Sequence, residues 1–295
     1  MPKPSTPSRR SPSHNAAPET VDPRWLLKAG AVVFAVALLC AIGLFWIAFS
    51  YTQWQYVLAP SRAVATNPTT IGLPFTEVHF GVDATGQPQL DGWWIPADIP
   101  TSPTVLMLHD GKGSMSDALP QARTLHEANL NVLLFDYRGF GHSGGAHPTQ
   151  ALMQADSESA LNYLRETRHI DLSLILVYGN GLGASVAVNL CAGHGAIPAV
   201  ILDSPLGDTE MQVRDDPRTR LIPVRLLFHE QFPLAVPIQT LATPKLVVAY
   251  APFPNTLDRR KIAEPKMTVE LTSANNTSAL HDAILRFLDS YLSNH

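Results

Sequence analysis

The arrangement of apolar and polar positions divides the chain into three zones. From Ala29 to Phe49 the run AGAVVFAVALLCAIGLFWIAF carries no charge. About 20 apolar residues rising 1.5 Å each cross a bilayer core, which predicts one transmembrane helix over 25–50 that contacts the membrane through 26–49. Before it, MPKPSTPSRRSPSHNAAPETVD is rich in Pro and Ser and poor in large apolar side chains, so residues 1–24 read as a disordered tail. Beyond Pro60, short aliphatic runs alternate with amphipathic stretches. The runs 76–80, 92–96, 104–109, 131–136, 173–178, 199–203, 245–250 and 267–271 predict eight strands. The central ones are apolar throughout, as parallel strands covered on both faces should be. Helical spacing at 117–129, 148–168, 182–193, 217–230 and 278–293 fills the gaps, which predicts a doubly wound, mostly parallel eight-stranded α/β sheet over 57–295. The first two strands precede any of these helices, so an antiparallel edge is expected.

The flanks of the apolar run refine this picture. The run is longer than the apolar region of a signal peptide and is followed by Tyr51, Trp54 and Tyr56, which suit a membrane interface, so it reads as an uncleaved anchor. Cys40 follows Leu38 and Leu39, where a lipoprotein site needs small residues. Lys3, Arg9, Arg10, Arg24 and Lys28 precede the helix and only Arg62 follows shortly after it, which predicts a cytoplasmic N-terminus and an extracytoplasmic domain. A net charge of −4 and dispersed basic residues, Arg259-Arg260-Lys261 apart, argue against nucleic-acid binding. The two cysteines, Cys40 and Cys191, define no disulfide framework.

Four stretches in order carry the candidate chemistry: HDGKGS (His109 to Ser114), DYRGFGHSGG (Asp136 to Gly145), GNGLGAS (Gly179 to Ser185) and LDSPL (Leu202 to Leu206). Each follows or ends a predicted strand, and together they resemble the α/β-hydrolase superfamily, in its branch with one N-terminal anchor and a serine-peptidase-like or esterase-like domain. The resemblance implies the α/β-hydrolase fold and a lid or cap at 207–243. It also places Gly181 where an active member carries its nucleophilic serine, on the sharp strand-to-helix turn of G-x-S-x-G. The turn keeps its small residues, but its centre has no hydroxyl. Asn180 and Ser185 point elsewhere on such a turn. Removing the serine from a comparable triad costs about 10⁶ in kcat.

The other two triad positions are expected to be lost as well. The loop that the resemblance assigns to the acid reads AYAPFPNTLD, with Phe253 at the carboxylate position and Asp258 displaced. The turn assigned to the base reads TSANNTS, with Asn275 nearest, while His281 comes later on the C-terminal helix. Asp203 stands where some members carry an alternative acid. The resemblance assigns the oxyanion hole to the backbone N–H of Leu182 and to one from Asp110 or Gly111, leaving an anion or carbonyl pocket. The Asp110 side chain would add negative charge there, where the family usually has glycine. His142, Ser143 and His147 supply too few convergent ligands for a metal, and Ser143 matches a structural serine of the family.

These readings favour a non-catalytic hydrolase fold that binds an unknown small molecule or protein, with no cofactor or metal. The alternatives are an unconventional hydrolase of small esters, amides or peptides using Asp203, Asp258 or His281, and a dinucleotide-binding protein. The last rests on GNGLGA matching G-x-G-x-x-A, with Asp203 about 20 residues on.

Overall fold

The computed structural model describes residues 23–251, 253, 257–272 and 277–292. The described residues fall into two compact units, divided between Ala48 and Phe49. Helix α1 runs from Pro23 to Thr52, and a single tighter turn continues it to Tyr56. It is long and apolar enough to cross a membrane, with an 18-residue window of mean hydropathy 2.8.

The second unit is built on eight strands: β1 (Thr76–Val82), β2 (Pro88–Ile95), β3 (Thr104–Leu108), β4 (Asn131–Phe135), β5 (Ile175–Asn180), β6 (Val200–Asp203), β7 (Lys245–Tyr250) and β8 (Lys266–Leu271). Their order across the sheet is β8-β7-β6-β5-β3-β4-β2-β1. Only the β1–β2 and β2–β4 pairings are antiparallel, which gives the edge expected from the sequence. The remaining helices are α2 (Leu119–Glu127), α3 (Gln150–Asn162), α4 (Gly183–Gly193), α5 (Glu210–Arg214), α6 (Val224–Leu227) and α7 (Thr277–Tyr291).

Alternation along the strands feeds two cores. Leu106 and Leu108 of β3 join Leu133, Phe135 and Val177 in a cluster with α3 and α4, whereas Val105 and Met107 join Val132, Leu134 and Leu176 in one with α2 and α7. Each buried Leu or Val contributes roughly 1.5–3 kcal/mol relative to exposure, so a doubly covered sheet follows directly from fully apolar strands.

Three sequence expectations change. The helix expected over 217–230 is replaced by a turn at Pro217–Thr219 and the single turn of α6, because Pro217 and Pro223 have no N–H to continue a helix. Strand β2 starts at Pro88, four residues before the predicted 92, because the Asp83 carboxylate accepts the N–H groups of Thr85 and Gln87 and closes a tight hairpin turn. The compact unit starts at Phe49, ahead of the expected residue 57: Phe49, Gln53, Val57 and Leu58 are all buried in it. Ala59 and Pro60 then pair in parallel with Lys112 and Gly113, laying this segment against the loop after β3.

Candidate functional site

The turn between β5 and α4 is tight because three glycines permit it. A Cβ on Gly179 would meet the Gly183 carbonyl oxygen at 2.5 Å, and one on Gly183 would meet the Leu108 carbonyl oxygen at 2.2 Å. Gly181 at the apex has φ +56, the left-handed conformation that costs a side-chain-bearing residue about 1–2 kcal/mol. Its N–H donates to the Asp203 carbonyl at 3.0 Å, and its own carbonyl accepts from Leu206 at 2.9 Å.

Directly over this apex lies the carboxylate of Asp110. Its Oδ1 accepts the Leu182 N–H at 2.9 Å and the Gly111 N–H at 2.8 Å. Leu182 is 72 residues from Asp110 in the chain, yet its N–H and that of Gly111 converge on one oxygen. A Cβ at position 181 would lie 2.2 Å from that oxygen and 2.4 Å from the Asp110 Cγ. The pocket expected at this point is therefore filled by the protein's own carboxylate, which matches an anion in charge and meets two donors aimed at it. Leu58 closes the other side, within 2.6 Å of where a Gly111 Cβ would stand.

A second carboxylate is fixed behind the turn. Tyr178, Asp203 and Tyr250 lie at or near the ends of adjacent strands β5, β6 and β7. Asp203 Oδ2 accepts from the Tyr178 hydroxyl at 2.5 Å and from Asn180 Nδ2 at 3.3 Å, Oδ1 accepts from the Ser204 hydroxyl at 3.3 Å, and the Tyr250 hydroxyl also bonds the carboxylate. Burial pushes the Asp203 carboxyl above the usual range, against these four bonds. Asn180 is thereby committed to Asp203, and Ser185 donates to the Pro233 carbonyl at 2.9 Å from a fully buried position.

A family model described as serine aminopeptidase, S33, matches residues 100–286. The chain belongs to the serine aminopeptidase S33 family. It is 30% identical over 270 residues to "Uncharacterized protein Rv2307c" of Mycobacterium tuberculosis, covering 87% of this chain and 94% of that protein. It is also 40% identical over 104 residues to "Protein bem46" of Schizosaccharomyces pombe, covering 35% of this chain and 34% of that protein. Among solved structures, the Pyrococcus furiosus esterase Pf2001 superposes with a TM-score of 0.62 at 18% identity, over 80% of this chain and 99% of that one, a likeness of fold.

The other candidate residues of this S33 member are dispersed. Asn275 lies outside the described residues. Phe253 packs under the Arg259 guanidinium, 4.2 Å from its ring centroid. Asp258 is exposed and accepts the Arg260 N–H at 3.0 Å, capping a turn. His281 lies on α7 with Nδ1 3.7 Å from the neighbouring Asp282. The histidines of the glycine-rich loop are also apart: His142 stands 3.7 Å from Asp91, and His147 stacks on Trp54. Ser143 donates to the Asp136 carbonyl at 2.5 Å and accepts the Asp91 N–H at 3.0 Å, tying that loop to β2. Among the described residues no group of three or more His, Cys, Asp or Glu converges to hold a metal.

Sequence reasoning expected the Asp110 charge at the oxyanion position but not its bonds to the Leu182 and Gly111 N–H groups, and it missed the tyrosine pair around Asp203. Tyrosines at the ends of two strands flanking the Asp203 strand were a readable signal for that pair. It carries a pH signature. The Asp203 pKa is raised on folding, so stability falls as pH rises from the unfolded carboxyl pKa of about 4 through the folded value. Asp203→Asn removes that dependence. Urea titrations of parent and variant at pH 4 and pH 7 should therefore show the parent losing stability relative to the variant toward pH 7, and an unchanged difference would contradict the assigned shift.

Proposed function

We propose that this S33 member is a non-catalytic α/β-hydrolase domain tethered to a membrane, acting as a binding or interaction module. One observation carries the reading: the Asp110 carboxylate occupies the point on which the Leu182 and Gly111 N–H groups converge, above a turn whose apex is Gly181. In a hydrolase of this fold, those donors stabilise the oxyanion that forms when the apex side chain attacks a carbonyl. Here the apex has no nucleophile and the donors hold a fixed negative charge, so both halves of acyl transfer are disabled by independent residues. The dinucleotide reading meets the same obstacle. A pyrophosphate at the start of α4 would face the Asp110 carboxylate, and Asp203 is 1% exposed and already bonded to Tyr178, unsuited to a ribose.

The membrane tether rests on the composition and length of α1. The excess of Lys and Arg before it supports a cytoplasmic N-terminus with the folded unit outside. The reading is tested with the purified full chain in detergent, assayed on short-chain p-nitrophenyl esters and with a fluorophosphonate probe. No turnover and no labelling are expected. Hydrolysis that survives stringent purification, or covalent labelling, would place a working nucleophile elsewhere in the chain and overturn the reading.

A further inference from the structure

Residues 206–236, which cover most of the stretch 207–243 expected as a cap and are called the cap below, bury one set of apolar side chains and expose another. Val213, Ile222, Val224, Phe228 and Phe232 are buried. Of the ten large apolar side chains exposed among the described residues of the Phe49–His295 unit, five fall in this short stretch: Leu206, Met211, Leu221, Leu226 and Val236. Leu221 is 83% exposed and Leu226 73%. The inward set already packs the cap onto the core, so core formation does not account for the outward set. Each of the two most exposed leucines follows an exposed arginine, Arg220 and Arg225. An apolar side chain beside a guanidinium suits the boundary between acyl chains and phosphates, where the one enters hydrocarbon and the other meets a headgroup.

The position of the cap in the chain's own geometry indicates what covers this surface. The Gln53 side chain accepts the His229 N–H at 2.6 Å, and the Arg218 guanidinium lies 4.8 Å from the centroid of the Tyr56 ring. Gln53 directly follows Thr52, the last residue of α1, and at about 3.5 Å per residue Tyr56 is no more than about 14 Å of chain from that end. The cap is thus held beside the point where the chain leaves its long apolar helix. All five of its acidic residues are engaged: Glu210, Asp215 and Asp216 each stand within 4 Å of an arginine, Arg225, Arg214 and Arg218 respectively, Asp208 accepts the Ala235 N–H, and Glu230 is buried against the Gln150 N–H.

We propose that the outer surface of the cap, through Leu221 and Leu226, lies in the headgroup boundary of the same bilayer that α1 spans, so that the domain rests on lipid by its cap. The proposal rests on the reading of α1 as a membrane span, and the experiment separates the two. The full chain, with Cys40→Ala and Cys191→Ala, is reconstituted into phosphatidylcholine–phosphatidylglycerol vesicles carrying single cysteines at 221, 226 or 82, each labelled with the environment-sensitive fluorophore NBD. Val82 is 68% exposed at the end of edge strand β1 and serves as the water-facing reference. A blue shift at 221 and 226, with quenching by acyl-chain nitroxides, and neither at 82, is the expected result. Spectra at 221 and 226 matching that at 82, in protein that resists alkaline carbonate extraction, would overturn the cap proposal and leave the membrane span standing. Extraction by carbonate would overturn both. A blue shift that grows with protein density and is not quenched by nitroxide would assign the surface to a second copy and overturn the lipid assignment.

Discussion

Gly181→Ser yields a protein that still fails to turn over esters and is less stable than the parent by roughly 2.5–5 kcal/mol. The first part of that loss, about 1–2 kcal/mol, is the strain of a side chain at φ +56. The second arises because the new Cβ would stand 2.2 Å from Asp110 Oδ1, which must leave the Leu182 and Gly111 N–H groups. Hydrogen bonds to a charged group contribute about 1.5–3 kcal/mol, and that is the amount at stake. In an Asp110→Gly background only the strain remains, so the same serine costs about 1–2 kcal/mol there. Urea denaturation of the four proteins of this double-mutant cycle checks the coupling. An equal cost of serine in both backgrounds would mean that Asp110 does not rest over position 181. Turnover stays absent in every member, because the turn that would supply a base reads TSANNTS.

A comparable loss, about 3–5 kcal/mol, is expected for Arg138→Met. Asp156 is 1% exposed, and its two oxygens take the Arg138 Nε–H at 2.6 Å and the Arg138 backbone N–H at 2.8 Å. Removing the guanidinium leaves a buried carboxylate with the backbone donor alone, and Arg138 opens the glycine-rich stretch 138–145. Burial already raises the Asp156 pKa, while Arg138 lowers it, so the variant's carboxyl moves further up. The sign follows: a folded carboxyl above its unfolded value costs stability as pH rises through that interval, and the variant has the wider interval. Its deficit against the parent should therefore be larger at pH 7 than at pH 5 in urea titrations. Adding Asp156→Asn should recover much of the loss at pH 7. A deficit independent of pH would show that packing of the arginine stem, rather than charge, is what was removed.

Much of the fold was legible because its physics is local. β3, β4, β5 and β6 each read as fully apolar runs, and the structure buries every residue of them except Asn180 at the end of β5. The apolar run before Tyr51 likewise announced its helix. The helix over 217–230 was misread because its apolar residues suggested a helical period while Pro217 and Pro223 set the backbone, and proline outweighs periodicity. At the site, the absence of a side chain at Gly181 was plain in the sequence. The destination of the Asp110 carboxylate was not, because it depends on a convergence of amides from two loops that only the folded sheet brings together. After α1, Tyr51, Trp54 and Tyr56 were read as a membrane interface and the domain was expected from residue 57, yet Gln53 is buried and accepts the His229 N–H.

That segment bears on whether the domain can be shed. Release of a soluble ectodomain by a protease requires an extended, accessible stretch between a membrane span and the folded body. In this chain Phe49, Gln53, Val57 and Leu58 are already buried in the sheet-bearing unit, and Ala59 and Pro60 are paired with Lys112 and Gly113. A cut within residues 49–60 would therefore have to unfold the stretch that lies against the Gly111 loop, and the product would lose part of the wall around Asp110. The covalent link to the helix and the integrity of the site thus depend on the same twelve residues, 49–60.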